Sequence, residues 1–100
     1  MAVICVVEDE PVIRSLLVDE LMDLGHTVLS ASDGEAGFKI ISDQPPDLII
    51  SDVNMPRMNG FEMRRKLTQA DPHHSKIPFV FLSAFADTAD VTDGMVVGDD

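Results

Sequence analysis

Leu48-Ile49-Ile50-Ser51-Asp52-Val53-Asn54-Met55-Pro56 is the stretch that decides how this chain folds. An apolar run closes on an aspartate, and turn formers follow at once: Pro56, then Asn59-Gly60. A short Leu/Ile run bounded by turn residues reads as a strand buried on both faces, as in a parallel sheet. Asp52 is therefore expected where a buried strand runs out into solvent. In open parallel sheets that is where ligands bind, in the crevice beyond the carboxyl ends of the strands.

Upstream, Val3-Ile4-Cys5-Val6-Val7 is a second continuous β-rich run, stopped by Glu8-Asp9-Glu10. Pro11 suits the first position of a helix, where its missing N–H costs nothing. Val12, Ile13, Leu16, Leu17, Leu21 and Leu24 recur at helical spacing and predict one apolar face, with Gly25 as the stop. Thr27-Val28-Leu29-Ser30-Ala31 alternates more, as an edge strand does. Asp33 is expected to cap a second helix from Gly34, with Ala36, Ile40 and Ile41 turned inward and Gln44-Pro45-Pro46-Asp47 ending it. Beyond Asn59-Gly60, a third helix is expected from Phe61 to about Gln69, carrying the basic cluster Arg64-Arg65-Lys66 on an exposed face. A loop, Asp71 to Ser75, and Ile77-Pro78 lead into a fourth buried strand, Phe79-Val80-Phe81-Leu82-Ser83. A fourth helix is expected from Asp87 through Val91, Met95 and Val96 to Gly98. Strand-helix alternation four times over predicts an α/β fold, a doubly wound parallel sheet joined by right-handed crossovers. The adjacent His73-His74 has no spaced partner and reads as part of a solvated loop, and most of the six methionines read as packing residues.

Composition narrows the function. One hundred residues make one domain, and a formal charge of −11 disfavours direct binding to nucleic acid or anionic lipid. No apolar run is long enough to span a membrane, and the start lacks the positive leader of a signal peptide. Cys5 is the single cysteine, so no intrachain disulfide can form, and a cytoplasmic setting is expected.

The chemistry gathers at two strand ends. Glu8 and Asp9 follow the first strand and Asp52 ends the third. If these strands are neighbours, about 4.8 Å apart, their carboxylates share one crevice. Close like charges push one pKa up, and a hard divalent cation is the natural remedy: Mg²⁺ prefers oxygen ligands and often binds through one or two carboxylates plus a phosphate. Glu10 alone reads as a helix cap.

Three segments, in this order and at these strand ends, make the chain resemble a response-regulator receiver domain of two-component signalling. They are Val6-Val7-Glu8-Asp9-Glu10-Pro11, then Asp52-Val53-Asn54-Met55-Pro56 with Met58-Asn59-Gly60, then Leu82-Ser83-Ala84. The resemblance implies a flavodoxin-like sheet of order 2-1-3-4-5 with the site at the switch point between strands one and three. It implies that Asp52 is the phosphoacceptor and that Glu8, Asp9, Asp52 and the backbone carbonyl of Asn54 hold Mg²⁺ (or Mn²⁺). It implies that the Ser83 hydroxyl and the backbone amides of Asn54 and Ala84 bind the phosphoryl group. Met55, in the loop that shapes the pocket, and Phe85, beside the path of hydrolytic water, are implied to modulate it. The implied partner is a sensor histidine kinase or phosphotransfer protein, docking beside the first helix. On phosphorylation, Ser83 and the loop after it would bias a two-state interaction surface.

The family's pattern continues past Asp100 with a fifth strand ending in lysine and a fifth helix, about 20 residues on ordinary element lengths. Lys39, Lys66 and Lys76 do not stand in for that lysine. Residues 1–100 are accordingly expected to be a C-terminally incomplete receiver, with phosphotransfer slow or absent and with strand four as an exposed edge prone to self-association. Other functions fit less well. A pseudo-receiver that has abandoned phosphorylation would have no reason to keep the acid set. A flavoprotein would want a Ser/Thr/Gly-rich phosphate loop where Glu8-Asp9-Glu10 stands. A metal-dependent phosphatase would want aspartate where Asn54 stands.

Overall fold

The computed structural model describes residues 1–82. In chain order the elements are β1 (Val3–Val7), α1 (Pro11–Asp23), β2 (Thr27–Ala31), α2 (Gly34–Asp43), β3 (Leu48–Asp52), α3 (Gly60–Ala70), a 3-10 turn (Pro72–Lys76) and β4 (Phe79–Leu82). Every strand pair is parallel, and the order is β2-β1-β3-β4. This is the doubly wound sheet expected, with the expected order over its four strands, and β2 lies at an edge as its alternation predicts.

The helix starts follow from short polar side chains. Asp33 Oδ1 accepts from the Ala36 N–H at 2.8 Å and begins α2. Asn59 and Glu62 form a reciprocal capping box at α3: the Glu62 N–H donates to Asn59 Oδ1 at 2.8 Å and the Asn59 N–H to Glu62 Oε1 at 3.0 Å. Glu10 caps α1, as the sequence predicts, accepting from the Val12 N–H at 3.3 Å with Pro11 following. Gly25 ends α1 at φ 92°, a backbone angle that glycine adopts without strain.

The core lies between the sheet and α2/α3. Cys5, Val7 and Ile49 of the sheet meet Ile41 of α2, Met63 and Leu67 of α3, and Phe79 and Phe81 of β4. The Phe79 and Phe81 rings stack at 5.3 Å, and the Arg64 guanidinium lies 5.9 Å above the Phe79 ring. Arg64 is thus half-buried, not on a purely solvated face.

One expectation is met in part and another changes. α1 presents the predicted apolar face, with Leu17 and Leu21 half-buried, but no α1 residue is fully buried, and Val12 and Leu16 are 65% and 60% exposed. Leu24, predicted on the same face, is the C-cap and 72% exposed. Periodicity tells which side of a helix is apolar, not how deeply that side sinks. The 71–75 segment is also more ordered than a loop. It forms the 3-10 turn, where His74 is buried with its Nδ1 2.8 Å from the Leu67 carbonyl, while His73 stays exposed beside Asp71. The expected fourth helix, from Asp87 to Val96, lies outside the described residues. Among the described residues no helix is long and apolar enough to cross a membrane.

Candidate functional site

The register of the sheet builds the site. Val6 pairs with Ile50 and Val7 with Ser51, so one further step brings Glu8 level with Asp52. Asp9 follows Glu8 past the strand end. One carboxylate oxygen from each of Glu8, Asp9 and Asp52 lies within 4.8 Å of the others. Asp9 is exposed, whereas Glu8 and Asp52 are only 3% and 7% exposed.

Burial dominates the electrostatics. Glu8 is pushed up from 4.5 to about 7, first by desolvation and further by the Asp52 charge, against the lowering effect of the Glu10 N–H that donates to Glu8 Oε2 at 3.1 Å. Asp52 is likewise raised by desolvation, with the Asn54 N–H, 3.4 Å from its Oδ1, pulling the other way. The Arg14 guanidinium reaches this end of the sheet but donates to the Glu8 main-chain carbonyl at 2.8 Å, not to a carboxylate. The donor set is all oxygen, anionic and under-compensated, which is the chemistry that accepts a hard divalent cation.

The loop after Asp52 is tightly fastened. The Ser51 hydroxyl donates to the Asp52 carbonyl at 2.9 Å, and the Gly60 N–H donates to the Val53 carbonyl at 3.0 Å. A Cβ on Gly60 would run into the Asp52 carbonyl oxygen, so the Asn59-Gly60 turn needs glycine for this close approach. Met55 is half-buried and packs against the core, while Asn54 is exposed.

A family model for the response regulator receiver domain matches residues 4–100. The chain belongs to that family. This receiver domain is 37% identical over 100 residues to the transcriptional regulatory protein AfsQ1 of Streptomyces coelicolor, covering all of this chain and 43% of that protein. It is 40% identical over 87 residues to a probable chemotaxis protein CheY of Rhizobium etli, covering 86% of this chain and 67% of that one. The structure of the chemotaxis response regulator CheY4 of Vibrio cholerae superposes with a TM-score of 0.82 at 31% identity, over 94% of this chain and 78% of that one. The receiver domain thus spans less than half the length of the Streptomyces regulator it matches.

Of the residues singled out from sequence, the structure brings the carboxylates of Glu8, Asp9 and Asp52 together, with the Asn54 N–H beside Asp52. Ser83, Ala84 and Phe85 lie outside the described residues. Sequence reasoning missed Arg14, whose signal was only a cation one turn into the helix after the acid run. It also missed the Asp33–Arg57 ion pair, at 3.2 Å, which joins the start of α2 to the loop after β3.

Proposed function

We propose that this receiver domain accepts a phosphoryl group on Asp52 from a histidine kinase or phosphotransfer protein, and that Mg²⁺ or Mn²⁺ is held by Glu8, Asp9, Asp52 and the Asn54 main-chain carbonyl. The observation that carries the reading is the convergence of three carboxylate oxygens, one from each acid, within 4.8 Å at the strand ends of a parallel sheet. An Asp52 carboxylate oxygen attacks the phosphorus in line. The bond from phosphorus to the donor nitrogen or oxygen breaks, its electron pair leaves with the donor, and an aspartyl phosphate remains. Such transfer rests on positioning and on stabilising spread charge. The bound cation supplies neutralisation of the repulsion between an anionic nucleophile and an anionic donor. The Asn54 N–H, 3.4 Å from Asp52 Oδ1, supports the reading because a donor so close to the carboxylate is within reach of a phosphoryl oxygen carried there. By family resemblance, the Ser83 hydroxyl and the Ala84 amide complete the phosphoryl shell, and Met55 and Phe85 tune its lifetime.

The test is intact mass after incubation with acetyl phosphate, with and without Mg²⁺, beside Asp52→Asn. A single phosphoryl adduct that needs both Mg²⁺ and Asp52 is expected. An adduct that survives Asp52→Asn rules out Asp52 as the acceptor. Mg²⁺ binding without any adduct favours a metal-binding module that does not take phosphate.

A further inference from the structure

We infer that the start of α2 is a positioning element for the acidic crevice: Gly34 and the Asp33–Arg57 pair hold the 53–59 loop and so fix where the Asn54 carbonyl meets the cation. The inference rests on the proposed role of Asn54 as a main-chain ligand. Three features place the fastening. A Cβ on Gly34 would run into the Met58 carbonyl oxygen and lie 2.9 Å from Met58 Cβ. Main chain sits on main chain there, and no flexible side-chain end is available to step aside. Arg57 holds φ at 69°, in the left-handed region, which a residue with a side chain adopts at a cost that its surroundings must offset. Those surroundings include Asp33, whose Oδ2 accepts from Arg57 Nη1 at 3.2 Å while its Oδ1 caps α2.

The other end of the loop is fixed as firmly. The Val53 N–H donates to the Leu82 carbonyl at 3.1 Å, and the Val53 carbonyl accepts from Gly60. The Met58 N–H donates to the Pro56 carbonyl at 2.8 Å, closing a tight turn between. Asn54 therefore sits between one point anchored to the sheet and one anchored to α2. A displacement of Met58 must be absorbed by residues 54–57, with little freedom elsewhere. The two fastenings differ in strength. Arg57 carries a side chain 66% exposed, and exposed ion pairs contribute little. The Gly34 approach is one that only a residue without a Cβ permits, and no water competes for it.

The test is an NMR titration of the whole ¹⁵N-labelled chain with Mg²⁺, for wild type, Gly34→Ala, Arg57→Gly, Asp33→Asn and Asp52→Asn. Arg57→Gly relieves the backbone strain, and Asp33→Asn keeps a capping oxygen, so any weakening there reports the fastening itself. Gly34→Ala is expected to move the Asn54 and Met58 amide signals in metal-free protein while the Ile49 and Met63 signals stay in place. Its Mg²⁺ affinity should fall about 10-fold, the scale on which outer contacts of metal ligands act. Arg57→Gly and Asp33→Asn should weaken binding less, in the same direction. A folded Gly34→Ala with unmoved Asn54 signals and wild-type affinity overturns the inference. Should Gly34→Ala not fold, unmoved Asn54 signals in both other variants overturn it. If only Asp52→Asn loses Mg²⁺, the crevice stands and the positioning role is wrong. If wild type binds no Mg²⁺, the proposed site fails, and the metal-free Asn54 shifts alone decide the positioning role.

Discussion

α1 and the α2/α3 pair cover the same sheet with opposite success. α1 is rich in Leu, Ile and Val, yet none of its residues is fully buried. α2 and α3 are poorer in such residues, yet each buries three: Gly34, Gly37 and Ile41, and Gly60, Met63 and Leu67. Half of those are glycines. A Cβ on Gly37 would lie 2.8 Å from Met63 Sδ and 2.9 Å from Val7 Cγ2, so α2 sits closer to β1 and α3 than any side chain at that position permits. Depth of packing here is set by what the helices leave out. Glu8 and Asp52, at the ends of β1 and β3, are buried as well, which is why desolvation raises both carboxyls.

The contrast breaks most visibly in the α3 layer. Met63→Ala removes a fully buried side chain wedged against Gly37 and should cost about 2–5 kcal/mol in unfolding free energy, read by urea titration. A cost below about 1 kcal/mol would show that the α2/α3 layer is looser than its burial implies.

The second effect is electrostatic. The Glu8 carboxyl, ordinarily near 4.5, is held near 7 in the folded protein. Between those values the folded state keeps a proton that the unfolded state has released, so stability falls as pH rises through the window. Wild type in EDTA should therefore lose more of its urea midpoint than Glu8→Gln between about pH 5 and pH 8, and Mg²⁺ should restore wild type at the upper end. An identical pH response in the two proteins would place the strain elsewhere.

A smaller effect tests the glycine argument itself. Gly37→Ala gains about 1 kcal/mol of helix propensity. It also inserts a methyl where 2.8 Å is free, and overpacking of this kind costs about 1–3 kcal/mol. Net destabilisation of about 1 kcal/mol is expected, and net stabilisation would mean that Met63 swings aside without loss.

The strands and the acids at their ends are legible in the sequence because each is written in contiguous residues: β-branched runs, the turn formers after Asp52, the acids after Val7. The order of the strands, which brings those acids together, comes only from the family resemblance. The burial of His74 and the Gly34–Met58 contact are not legible. His74 is buried by a bond back to the Leu67 carbonyl, and Gly34 by main chain from the next βα loop. Both depend on how neighbouring elements meet, which no local pattern records. α1 is a different case. Its periodicity marks an apolar face correctly, but a face is only as buried as the surface opposite it allows.

The smallest expected effect follows from that last point and is the most discriminating. Leu16 lies on the face that periodicity assigns to the core, and an ordinary buried leucine cut to alanine costs about 2–5 kcal/mol. At 60% exposure it has little left to lose. Alanine also has the higher helix propensity, so Leu16→Ala should change the unfolding free energy from urea titration by no more than about 0.5 kcal/mol. The comparison with Met63→Ala is internal, made on two helices of one small domain under one condition. A cost at Leu16 near that at Met63 would mean that α1 is covered in solution by something beyond the described residues. The two helices would then differ in partner, not in depth.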